Sequence, residues 1–167
     1  MRDAPAHPRW SARSRNAKET AAIGAALGRS APNGAVILLE GPLGAGKTTF
    51  AQGVAEGCGV REPVTSPTYN LVLHYLGERP FTHVDLFRLA DARELASLDL
   101  EELLEGPGVT CVEWPAILEP RVEPPWARVR ISPESKPAGP RRLEGELAGR
   151  GWERASMALA ALGAGPP

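Results

Sequence analysis

Apolar positions in this chain recur at two spacings, and each spacing predicts its own kind of element. Asn16, with Glu19 three residues on, forms a capping-box pattern. Ala21, Ala22, Ile23, Ala26 and Leu27 follow it at helical spacing. Gly28 is expected to end that helix. After Gly34, the run Ala35-Val36-Ile37-Leu38-Leu39 is short and wholly apolar, which predicts a central strand buried on both faces. Gly41 to Gly46 is a glycine-rich loop. Helical spacing returns from Thr48 to Glu56 through Phe50, Ala51, Val54 and Ala55, with Gly57 and Gly59 as the stop.

Further on, Pro63 to Pro67 predicts a loop. Tyr69 to Leu76 and Phe81 to Phe87 predict an antiparallel hairpin across Gly77-Glu78-Arg79-Pro80. Asp91 with Glu94, and Asp99 with Glu102, predict two short helices ended by Gly106-Pro107. Val109 to Trp114 predicts a second buried strand. Trp126 to Ile131 and Arg142 to Leu147 predict a terminal hairpin, and Arg150 to Leu162 a last helix. The sum is a three-layer α/β fold with a mixed central sheet flanked by helices. Residues 1–12 are expected to form a loose, disordered Pro/Arg extension, 13–162 a single domain and 163–167 a flexible tail.

Composition narrows the function classes. The chain has 167 residues and a formal net charge of −1, which argues against a protein that coats nucleic acid by charge alone. Cys58 and Cys111 cannot build a disulfide scaffold, and no CxxC pair is present for zinc. No apolar run approaches the roughly 20 residues of a membrane helix. The start, MRDAPAHPRW, lacks an apolar signal core. A reduced, cytoplasmic setting without membrane contact is expected. Sixteen of the nineteen basic residues are Arg. One of the three lysines, Lys47, lies in the glycine-rich loop.

That loop, Gly41-Pro42-Leu43-Gly44-Ala45-Gly46-Lys47-Thr48, matches the phosphate-binding pattern G-x-x-x-x-G-K-[ST]. Glycines let backbone N–H groups turn inward as an anion nest, and the following helix adds its positive N-terminal dipole. Lys47 can reach the β- and γ-phosphates, and Thr48 can place its hydroxyl on Mg²⁺. An apolar strand before the loop and an amphipathic helix after it supply the required context, so the fold is expected to be P-loop NTPase-like.

Asp85 ends the strand from Phe81, where a Walker B acid would hold Mg²⁺. It is followed by Leu86, so a water-activating acid must come from elsewhere. Glu113, at the end of the Val109 strand, is the best candidate, because ligands of open α/β sheets lie at strand ends. Glu40, just before the loop, competes for that role. Thr65-Ser66-Pro67-Thr68 fits either a γ-phosphate-sensing loop or a plain Pro-bounded turn. The absence of an Asn-Lys-x-Asp segment favours ATP over GTP. His83 lies on the face of Asp85 by strand alternation, but a lone His is more often packed or solvated than a ligand. Arg141 and Arg142 read as a solvated strand start.

In this order and spacing, the segments LGAGKTTF (43–50), TSPTYNLV (65–72), HVDLFRL (83–89) and VEW (112–114) resemble the TsaE (YjeE) family. The resemblance runs from about residue 13 to 131. These are small bacterial P-loop ATPases of tRNA threonylcarbamoyladenosine biosynthesis. The resemblance implies a weak Mg²⁺-dependent ATPase that works with TsaD-like and TsaB-like partners and meets tRNA only indirectly. It implies ATP contacts from Gly41, Leu43, Gly44, Ala45, Gly46, Lys47, Thr48 and Thr49, and from Thr20, Thr65, Ser66 and Trp114. It implies a Mg²⁺ site of Thr48, Asp85 and Glu113, with Lys47, Asp85 and Glu113 in the chemistry. Glu40 and Pro42 depart from the residues expected there. The competing readings are a small P-loop kinase and a non-catalytic nucleotide sensor.

Overall fold

The computed structural model describes residues 7–67, 69–135 and 139–167. Its strands are β1 (Arg9–Ser14), β2 (Ala35–Glu40), β3 (Val72–Tyr75), β4 (Phe81–Asp85), β5 (Val109–Glu113), β6 (Trp126–Pro133) and β7 (Arg141–Ala148). Its helices are α1 (Ala17–Ser30), α2 (Lys47–Gly57), α3 (Leu100–Glu105) and α4 (Glu153–Ala161). The strands form one mixed sheet in the order β1-β7-β6-β2-β5-β4-β3. The central four, β6, β2, β5 and β4, run parallel, and the antiparallel pairs lie towards the two edges.

Alternation along β2 builds the two cores. Ala35, Ile37 and Leu39 face α1, α2 and α4 in the larger cluster, with Phe50, Val54, Cys111, Val129 and Leu159. Val36 and Leu38 face the other side, with Val84, Leu95, Leu103, Val112 and Leu118. Both faces of β2 are therefore covered, as its unbroken apolar run predicts. Each such side chain contributes about 1.5–3 kcal/mol when fully buried. No helix among the described residues is long and apolar enough to cross a membrane.

Several boundaries differ from the expectation. Helix α1 passes through Gly28 to Ser30, because the missing Cβ at Gly28 serves packing. A Cβ there would lie 2.2 Å from the carbonyl oxygen of Val54 on α2. Gly57 is likewise helical, and the turn comes at Gly59, with φ +81°. The Asn16 cap forms, its Oδ1 accepting from Glu19 N at 3.0 Å. The Glu19 carboxylate instead takes the N–H of Arg15. Tyr69 and Asn70 form a turn, and Leu71 at φ +61° delays β3 to Val72. Of the two expected short helices, Asp99 caps α3, whereas Glu94–Ser97 is one 3₁₀ turn. Helix α4 starts at Glu153 rather than Arg150.

The larger corrections concern the chain ends. Arg9–Ser14, assigned mostly to a loose extension, is an edge strand antiparallel to β7, with Trp10 buried. Residues 1–6 of that expected extension lie outside the described residues. The expected flexible tail is tied down too. Gly165 and Ser11 exchange backbone hydrogen bonds at 2.7 and 2.9 Å.

Candidate nucleotide site

The site lies at the carboxyl ends of β2, β4 and β5. After β2 the chain turns through Gly41 (φ +141°), Gly44 (φ +74°) and Gly46 (φ +107°) before entering α2. Only glycine takes such angles without strain. At Gly41 a Cβ would also meet the Ile131 carbonyl oxygen at 2.3 Å. Gly46 caps α2 without a side-chain bond, so the first amides of this helix face the loop. Arg141, at the start of β7, braces the turn by donating from Nε to Ala45 O (2.8 Å) and from Nη2 to Gly44 O (3.4 Å). The expectation of a merely solvated Arg141 is thereby corrected. No local pattern announces this contact, because it spans 96 residues.

Lys47 is buried, and its Nζ donates to Gly41 O (2.7 Å) and Pro42 O (2.9 Å). It also stands 4.0 Å from the centroid of the Trp114 ring. Burial holds its pKa below the usual lysine value, against the opposing pull of Glu113 and Asp85. Trp114 itself is left-handed, at φ +58°, and packs on Phe87.

Two buried carboxylates complete the floor. Asp85 and Glu113 are register partners on parallel β4 and β5. Thr48 Oγ1 donates to Glu113 Oε1 at 2.9 Å. His83 Nε2 lies 2.9 Å from the same oxygen. Asp85 accepts from Ser66 Oγ (3.0 Å) and from Phe87 N (3.0 Å). This is a hard-oxygen donor set of two carboxylates and a hydroxyl. It suits Mg²⁺, which keeps several waters and takes one or two carboxylates together with substrate phosphates.

A model for the family described as threonylcarbamoyl adenosine biosynthesis protein TsaE matches residues 14–143. The chain belongs to the TsaE family. It is 41% identical over 101 residues to the TsaE protein of Treponema pallidum, covering 60% of this chain and 75% of that one. To the TsaE protein of Bacillus subtilis it is 42% identical over 117 residues, covering 70% and 72%. The crystal structure of Bacillus subtilis YdiB superposes with a TM-score of 0.73 at 30% identity. It covers 96% of this chain and 97% of that one. The fold is accordingly the α/β P-loop NTPase-like fold.

Most residues that the TsaE resemblance singled out converge here. Lys47 meets Trp114, Thr48 meets Glu113, Ser66 meets Asp85, and Asp85 and Glu113 are register partners. Thr20 is buried behind the loop. Its Oγ1 pairs with Ser14 Oγ at 2.7 Å, and it lines a cavity of about 270 Å³ with Asn16, Gly46, Thr49 and Arg141. Thr65 enters only through its backbone, with its N–H directed to Tyr75 OH and its carbonyl oxygen 3.2 Å from His83 Nδ1. Thr68 lies outside the described residues. Leu43 is largely exposed on the loop. Glu40 turns away from the phosphate loop towards Arg130 (2.9 Å) and Arg128 (3.5 Å). Its charge is thus offset, and it does not join the two buried carboxylates. His83 is the residue that sequence reasoning undervalued. The available signal was its period-2 relation to Asp85.

Proposed function

We propose that this TsaE-family chain binds ATP with Mg²⁺ and hydrolyses it slowly, in support of threonylcarbamoyladenosine formation on tRNA. The observation that carries the reading is the convergence of Lys47, Thr48, Asp85 and Glu113 at adjoining strand ends. Loop amides and Lys47 would bind the phosphates. Thr48, Asp85 and Glu113 would hold Mg²⁺, which when bound supplies charge neutralisation at the phosphates. Glu113 would orient the attacking water, and Trp114 would shield the Lys47 side chain from solvent. TsaD-like and TsaB-like proteins would be the partners and would hold the tRNA, since a net charge of −1 gives this chain little attraction of its own for RNA. A cytoplasmic setting belongs to this reading.

The test is reconstitution. ATP turnover by the purified chain should be slow, Mg²⁺-dependent and raised by the two partners. Lys47→Ala should abolish both turnover and threonylcarbamoyladenosine formation. Modified tRNA formed at the normal rate with Lys47→Ala would defeat the proposal. Leu86, in place of a second acid after Asp85, favours a non-catalytic nucleotide sensor as the second reading. That reading predicts tight ATP binding with no turnover in the full complex.

A further inference from the structure

His83 is fully buried in the sheet, yet both of its ring nitrogens face oxygen. Nε2 lies 2.9 Å from Glu113 Oε1, and Nδ1 lies 3.2 Å from the Thr65 carbonyl oxygen. The neighbouring Ser66 donates to Asp85 Oδ2. One surface loop, 63–67, therefore reaches both carboxylates: Asp85 through a hydroxyl, and Glu113 through an imidazole. The ring edge leaves Glu113 little freedom, because the same Oε1 also accepts from Thr48. Phe81, with its ring centroid 6.2 Å from that of His83, and Tyr75, beside Phe81, form the wall behind.

We propose that His83 is a positioning residue that makes the placement of the Glu113 carboxylate depend on the conformation of the 63–67 loop. Anything that moves the loop, whether nucleotide or partner, then re-aims Glu113 without touching it. The imidazole suits this task because it is rigid and carries a nitrogen at each edge; the Thr65 carbonyl and the Glu113 carboxylate both accept, so a neutral ring donates to one of them and a doubly protonated ring to both. The proposal rests on the ATPase reading for its catalytic consequence, but the coupling itself does not.

Two variants separate position from packing. His83→Phe keeps the ring volume and loses both polar contacts. His83→Gln can place an amide nitrogen near the Nε2 position and so keeps the Glu113 contact. In the partner-stimulated reaction, His83→Phe should lower kcat by about ten- to hundredfold, the scale of a misplaced reacting group. KM for ATP should stay within about twofold. His83→Gln should recover most of the lost kcat, and thermal melts would confirm that both variants fold. A His83→Phe protein with unchanged kcat, or with kcat and KM altered together in both variants, would overturn the proposal.

A second measurement needs no turnover. In the nucleotide-free chain, Glu113→Gln should shift the Thr65 and Ser66 amide resonances. The shift should vanish when His83→Phe is also present. Unshifted Thr65 and Ser66 amides would overturn the coupling. Absence of ATP turnover in the wild-type complex would instead defeat the ATPase reading alone.

Discussion

At the scale of single residues, Lys47 shows how chemistry resists compositional drift. In a chain that uses Arg sixteen times, a lysine remains where a thin ammonium passes between two loop carbonyls and the Trp114 ring. A planar guanidinium is not equivalent in that space. Lys47→Ala should weaken ATP binding about a hundredfold, or about 2.8 kcal/mol at 1.4 kcal/mol per decade. Lys47→Arg should recover little of it, as titration with a fluorescent ATP analogue would show. The cysteines give a pH prediction. Burial pushes the Cys58 thiol from 9.0 up to about 11 and raises Cys111 as well. The native state keeps these protons longer than the unfolded chain does. For Cys58 the stabilising contribution is therefore complete below about pH 9 and is lost as pH rises through about 11. Urea titrations should show stability falling across that window, and Cys58→Ser should flatten part of the fall. At pH 8 a thiol reagent should modify neither cysteine until the chain unfolds.

At the scale of elements, the contact between α1 and α2 depends on four glycines. Gly24 and Gly28 on α1, and Gly53 and Gly57 on α2, are each spaced by four. A Cβ at any of them would lie 2.0–2.3 Å from a backbone oxygen of the facing helix. Helix propensity alone would favour Ala over Gly by about 1 kcal/mol. The close approach reverses that sign, so Gly28→Ala should destabilise by about 1–3 kcal/mol in denaturant unfolding, the usual cost of overpacking. Gly53→Ala should also weaken ATP binding, because α2 begins with Lys47 and Thr48 and any outward shift carries both. The glycines were visible in the sequence, but Gly28 and Gly57 look like stops, since a lone helix contains no partner to explain them. By contrast, the caps at Asn16 and Asp99 were legible, because a cap and its amide are three residues apart.

For the molecule as a whole, the sheet is completed by segments far apart in sequence. β1 binds the free edge of β7, and the Trp10 ring covers Gly145, where a Cβ would come within 2.2 Å of it. Trp10→Ala should cost about 3–5 kcal/mol, as large-to-small core changes do. Removal of residues 1–14 should lower the melting temperature and promote association through the bared β7 edge, which calorimetry and size-exclusion chromatography would measure. β1 escaped sequence reading because its buried positions are Trp10, Ala12 and Ser14. Two of those three carry too little apolar signal to show a period of two.

By itself, the sequence determined what depends on neighbours along the chain. The β2 strand follows from its unbroken apolar run, the phosphate loop from its glycines, and the acids Asp85 and Glu113 from their places at the ends of short apolar strands. Turn angles, helix caps and pleat periods act over only a few residues. Tertiary structure alone decided which distant groups meet. It brought Arg141 to the loop carbonyls, turned Glu40 aside to Arg128 and Arg130, set α1 against α2 on bare glycine, and placed His83 between Thr65 and Glu113. Those contacts depend on strand order and helix approach, which follow from the burial of the whole core rather than from any local pattern.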